Sequence, residues 1–211
     1  NIEKTHYSVS HFDKSSITFT STIHGRSITK KYSLAKNGEI PYCLDLNIST
    51  QADLSNIWIT SGVLEVELTP NVAQDLKYRY FTGKKYSVDN IKLPKSASTN
   101  NTITPDWVSS ANGFFGVILD NLGEPPQGYK AKNISGAIVP TRYTLVDHQH
   151  NLHPAVKYPG YEVLLPLGKN TDYNFRVYAG PYQGKLLKLI DKTYNNPLVG
   201  YNPEYIEAKI N

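Results

Sequence analysis

Three of the chain's six histidines fall in one short stretch, Asp147-His148-Gln149-His150-Asn151-Leu152-His153. In an extended segment His148 and His150 would share a face, because side chains alternate across a strand. His153 could fold back as a third ligand with Asp147 beside it, the donor set of a three-ligand zinc site. The same residue types, followed by Pro154, also build solvated loops. No HExxH frame and no CxxC partner accompanies them. We therefore read 147–153 as a polar surface loop and expect no bound metal.

Other chemistries find less support. The carboxylates Glu65, Glu67, Asp120, Glu124 and Glu162 are scattered, and Glu65 and Glu67 suit alternate positions on a solvent face. No GxSxG elbow anchors a serine nucleophile, and no GxxxxGK[ST] loop offers a phosphate cradle. The single cysteine, Cys43, rules out a disulfide framework within the chain and a multi-cysteine metal site. It reads as a small residue in a strand. Net charge is +4, too weak and too dispersed for nucleic acid, which would want a motif-linked basic face. The densest basic stretch, from Lys77 to Lys95, reads as a solvated face.

The elements that must hold these residues are mostly strands. The 211 residues are 39% hydrophobic and 19% charged, with sixteen tyrosines, a globular balance that favours β structure. Ile17 and Phe19 alternate up to a turn at His24-Gly25, and a second strand resumes through Ile28 and Tyr32. Ile40, Tyr42, Leu44, Leu46 and Ile48 share one face of a longer strand, whose Pro41 lies at an edge or before pairing begins. "NIWITSGVLEVEL" reads as two strands joined at Ser61-Gly62, and Pro70 as the opening of a short helical turn. "KSASTNNTITPD" (95–106) reads as a loop. "DWVSSANGFFGVILDN" reads as a buried strand carrying Phe114, Phe115, Val117, Ile118 and Leu119. "NISGAIVPTRYTLV", "YEVLLPLG" and "DYNFRVYAG" read as three more strands.

The period changes only after 180. Tyr182, Leu186, Leu187, Ile190 and Tyr194 recur at helical spacing, predicting a helix over 182–194 that docks through Leu186, Leu187 and Ile190. Asn202-Pro203-Glu204 has the form of a cap, a Pro at the first helical position and an acidic first turn. It predicts a second helix over 203–210. The fold class expected is mainly β: one large antiparallel β-sandwich domain over 1–211, with strands over about 15–180 and one or two C-terminal helices. No apolar run approaches the about 20 residues that a membrane-spanning helix needs.

Two stretches carry a family resemblance. "DWVSSANGFFGVILDN" places a Trp before an aromatic-rich strand, and "FRVYAGPYQGKLLKLID" runs a strand through Gly-Pro straight into an amphipathic helix. In this order they resemble the large periplasmic domain found in bacterial members of the YidC/Oxa/Alb membrane insertase family, with Trp107, Gly113, Phe115, Gly180 and Pro181 at the motif positions. "ITKKYSLAKNGEIPYCLDLNI" and "YRYFTGKKY" agree more loosely. The family's extra N-terminal portion is missing, so the chain is expected to be the C-terminal part of that domain. The interval from Asp120 to Gly180 is longer than the family's, which makes the histidine stretch an insertion.

The resemblance implies a β-supersandwich, similar to galactose-mutarotase-like domains, on the periplasmic face of the bacterial inner membrane. It implies a non-catalytic accessory domain without cofactor, belonging to a protein that inserts and folds membrane proteins, alone or with the Sec translocon. Its implied partners are the membrane-embedded remainder of the same protein, nascent membrane proteins, and the translocon with its accessory subunits. The family's functional groove lies among transmembrane helices, so no catalytic residue carries over. The alternative is a carbohydrate-binding or aldose-epimerase-like sandwich, in which His148 or His150 would work with Glu162 as acid and base for ring opening.

Overall fold

Period-two patterning resolves into two antiparallel sheets. The computed structural model describes residues 5–23, 25–51, 54, 56–67, 74–169 and 171–194. One sheet has nine strands, in the spatial order β1 (Ser8–Phe12), β2 (Ser16–Ile23), β3 (Arg26–Leu34), β4 (Cys43–Thr50), β13 (Asp172–Pro181), β10 (Phe115–Asn121), β9 (Trp107–Ala111), β6 (Asp75–Phe81) and β7 (Tyr86–Ile91). The other has four: β5 (Trp58–Thr60), β12 (Gly160–Pro166), β11 (Tyr129–Ile134) and β8 (Ser98–Asn101). The chain is therefore mainly antiparallel β in two layers, the arrangement of a sandwich. A short helix α1 (Tyr143–Val146) interrupts the connection from β11 to β12, and a longer one, α2 (Gly184–Tyr194), follows β13.

The central strands of the large sheet are covered on both faces. On one face Leu46, Ile48, Leu76, Val108, Leu119 and Phe175 meet Ala131, Val163 and Leu165 of the small sheet. On the other, Cys43, Trp107, Ile118 and Tyr178 meet Ile40 and the α2 residues Leu187 and Ile190, with Leu186 packed beside them. Each fully buried Leu or Ile contributes about 1.5–3 kcal/mol, so the helix belongs to the core. Tyr182, just before it, lies over Gly116, where an added Cβ would come within 2.4 Å of the ring. Burial pushes the Tyr182 phenol up to about 12.

The same face carries a row of charge. Cross-strand register places Arg79 opposite Trp107, Trp107 opposite Asp120, Asp120 opposite Arg176, and Arg176 opposite Asp45. Arg79 is 1% exposed and Asp120 0%. Arg79 reaches Asp106 at 3.0 Å and Arg176 reaches Asp45 at 3.1 Å. Lys77 joins this face, 2.6 Å from Asp75. Lys77 and Arg79 are thus buried, contrary to the solvated-face reading, whereas Lys84, Lys85, Lys92 and Lys95 are exposed. Alternation alone does not reveal that a helix will cover the polar face.

Several element boundaries also differ. Tyr42 adopts a positive φ of 61°, which breaks the alternation that would put Ile40 with Leu46. Ile40 joins the helix-side cluster, and β4 starts only after Pro41. "DWVSSANGFFGVILDN" is a hairpin, β9 and β10, turning at Asn112-Gly113, with Gly113 at φ 89°. Its Phe114 and Phe115 are exposed. Gly62, at φ 75°, ends β5, and the described residues after it hold only an isolated bridge from Val66 to Thr141. Residues 98–101 form a strand despite their polar composition, because β11 offers them a ladder. Residues 135–146 do not, since Pro140 and the α1 turn interrupt them. The expected turns at His24 and Pro70 and the helix over 203–210 fall, wholly or in part, outside the described residues.

Replacing Leu187 with Ala should cost about 2–5 kcal/mol, a Tm drop of roughly 4–20 °C at this length. Replacing both Leu187 and Ile190 with Asp should abolish the helical circular-dichroism signal of α2. An unchanged melt and spectrum for the double variant would refute the docked helix.

Candidate ligand groove and the histidine loop

Because the small sheet is narrower than the large one, one apolar flank of the large sheet is only partly roofed. The result is a groove of about 400 Å³ between that flank and β5. Ile28, Leu46, Ile48, Leu119 and Val177 form its floor, and Ile57, Trp58 and Ile59 form one wall. Tyr7, Lys30 and Tyr32 bring polar groups to it, with the Lys30 ammonium 4.2 Å from the centre of the Tyr7 ring. The buried Tyr7 hydroxyl has no hydrogen-bond partner among the described residues. An apolar body with one polar or anionic end matches this lining. Among the described residues no histidine or carboxylate lines it.

The histidine stretch folds around a carboxylate. Asp147 accepts hydrogen bonds from the backbone N–H groups of Asn151 (2.9 Å), Leu152 (2.7 Å) and His153 (2.6 Å). Burial pushes its pKa up, but the three N–H donors together outweigh burial, and the net direction is down. His150 adopts φ 55°, and its Nδ1 lies 3.1 Å from the His153 carbonyl. The His153 ring packs 4.5 Å from that of Tyr143, and Tyr143 packs 4.2 Å from Tyr158. His148 is exposed. Among the described residues no group of three His, Cys, Asp or Glu is placed to hold a metal ion.

Glu162 lies elsewhere, on β12, where it accepts from the Thr60 hydroxyl and faces Lys132 at 3.6 Å. Of the motif residues, Phe115, Gly180 and Pro181 lie where β10 and β13 meet before α2, Gly113 sits in the turn before β10, and Trp107 opens β9 opposite Asp120. Trp107 is 1% exposed in the helix-side cluster. Phe115 pairs with Pro181. Gly180 accommodates the Tyr42 ring, 2.6 Å from where a Cβ would sit. The groove itself had no local signature, since its residues come from segments far apart in sequence.

Asp147 offers a direct test. A carboxylate with a lowered folded pKa stabilises above its unfolded pKa of about 3.9, and the effect disappears as pH falls through the folded value. The amide NMR signals of Asn151, Leu152 and His153 should therefore titrate together with a midpoint below 3.9. Asp147→Asn should speed hydrogen exchange at these amides roughly tenfold at neutral pH while leaving the sandwich melt nearly unchanged. Unaltered exchange in that variant would refute the carboxylate's role in the loop.

Comparison with known proteins places these features in context. Over 209 residues the chain is 40% identical to the membrane protein insertase YidC of Chlamydia muridarum and 39% identical to that of Chlamydia trachomatis. Over 207 residues it is 36% identical to the Chlamydia caviae protein. These matches cover 96–97% of this chain but only 25–26% of the relatives, so the chain spans about a quarter of their length. No protein-family model matches. A bacterial glucoamylase complexed with acarbose shares 13% identity at a TM-score of 0.46, over 97% of this chain and 28% of the other, too weak a likeness to carry an argument.

Proposed function

We propose, on the premise that the chain is related over nearly its whole length to one segment of the YidC membrane protein insertases, that it is a non-catalytic accessory domain of such an insertase. That relationship is the observation that carries the reading. The domain works on the periplasmic face of the bacterial inner membrane, as part of a protein that inserts and folds inner-membrane proteins. Among the described residues no helix is long and apolar enough to cross a membrane, and the reading assigns the crossing to the membrane-embedded remainder.

In this reading 1–211 acts as one body, and α2 transmits its position to that remainder. Leu187 and Ile190 hold the helix against the large sheet, so the body follows the helix instead of swinging freely. Further partners are nascent membrane proteins and the Sec translocon with its accessory subunits. No chemical step or cofactor is assigned. Asp147 and Glu162 are engaged in loop and sheet contacts, and the groove is lined for contact with apolar surface.

Antibody raised against the domain should recognise an inner-membrane band that resists alkaline carbonate and is much larger than 23.7 kDa. A soluble band near that mass would sink the proposal. The aromatic side chains of Tyr7, Tyr32 and Trp58 along the groove support a second reading as a sugar-binding sandwich. Glycan binding or accelerated anomerisation of an aldose would favour it, and neither is expected.

A further inference from the structure

Five of the six hydrophobic side chains more than 60% exposed among the described residues belong to one connection, that from β11 to β12. They are Ile138 (77%), Leu145 (78%), Val146 (62%), Leu152 (78%) and Val156 (83%). Single exposed leucines need no explanation, but such a concentration on one segment marks an interaction surface.

The segment beneath them is well tied down. Asp147 gathers three backbone N–H groups, and the Tyr143, His153 and Tyr158 rings pack together under the loop. Its two halves approach so closely at Gly136 that an added Cβ would come within 1.8 Å of the Ala155 carbonyl. Arg142 ties the loop to the body through Glu65 (3.1 Å) and Glu67 (3.3 Å). Asn112, in the turn from β9 to β10, bonds Glu65 and Glu67 as well. That bond brings the exposed Phe114 to the same end of the sandwich.

Arg142 of this loop is balanced by Glu65 and Glu67. Asp147 is the only acid in 135–158, and it is buried. Lys157 is exposed beside Val156, and His148 is exposed beside Asp147. Protein interfaces concentrate aromatic and arginine anchors at their centres, whereas these tips are aliphatic, with the exposed Lys157 beside Val156 and Arg142 already held by Glu65 and Glu67. That combination suits the boundary between headgroups and acyl chains of an anionic bilayer.

We infer that the β11–β12 loop is a bilayer-docking surface, which seats its aliphatic side chains in the outer leaflet boundary and holds the sandwich at the membrane. The inference rests on the accessory-domain reading and names a lipid surface as an additional partner.

Flotation of the 211-residue chain with vesicles of phosphatidylethanolamine and phosphatidylglycerol tests it. The wild-type chain should float, and more so than with phosphatidylcholine alone. Leu145→Asp combined with Leu152→Asp should weaken partitioning at least roughly tenfold. Phe12→Asp, an equally exposed site on β1, should leave partitioning unchanged. A wild-type chain that stays at the bottom, or a double variant that floats equally, overturns the proposal. If the double variant loses its β-sheet spectrum, Val156→Trp replaces it: blue-shifted emission on adding vesicles supports insertion, and an unshifted spectrum overturns it. A chain that does not float alongside a carbonate-resistant band in cells would remove this inference and leave the accessory-domain reading standing. A soluble native band would remove that reading, while flotation would still speak for the loop.

Discussion

Everything in this structure depends on a sheet whose central strands are covered on both faces. In β9, β10 and β13 one set of side chains meets the small sheet and the alternate set meets α2. The helix-side set includes the row from Arg79 through Trp107, Asp120 and Arg176 to Asp45. A one-residue slip of β10 would turn Asp120 toward Leu46 and Leu119's apolar neighbours and bring Leu119 into the charged row. Burying a carboxylate among hydrocarbons costs far more than a misplaced methyl. The row therefore penalises wrong registers heavily, and the correct register aligns both cores together.

The unequal width of the two sheets has a second consequence. Four strands cannot roof nine, so among the described residues the large sheet keeps a partly roofed apolar flank, and the groove lies between it and β5. The opposite face is closed by α2 and by the segment through Ala35 and Ile40. The loop with exposed aliphatic tips adds a third kind of surface at the end where β13 passes into the helix.

Much of this was legible in the chain, in places where the information is local. The alternation through Leu44, Leu46 and Ile48, the hairpin from β2 to β3, and the helical spacing of Leu187 and Ile190 appear in the structure with small shifts of boundary. The strands β12 and β13 lie where their apolar patterns predict them. The polar reading of the histidine stretch is consistent with a loop organised by Asp147, although its internal geometry has no sequence signature. Phe114 and Phe115 show the limit of the pattern. An aromatic pair reads as core, but here it caps a hairpin and faces solvent.

By itself, the sequence determined the predominance of strands, the change to a helix after Pro181 and the kinship with an insertase segment, because composition, period and motif are properties of neighbouring residues. Tertiary structure alone decided the rest. It made a strand of Ser98–Asn101 because β11 lay alongside, and it denied one to 135–146, where Pro140 and the α1 turn interrupt the pattern. It buried Lys77 beside the Tyr182 ring, distant in sequence, and Arg79 against the Tyr86 ring and Asp106. It also assembled the groove from β3, β4, β5, β10 and β13. Pairing and coverage depend on residues far apart along the chain, and no local pattern encodes which partner will arrive.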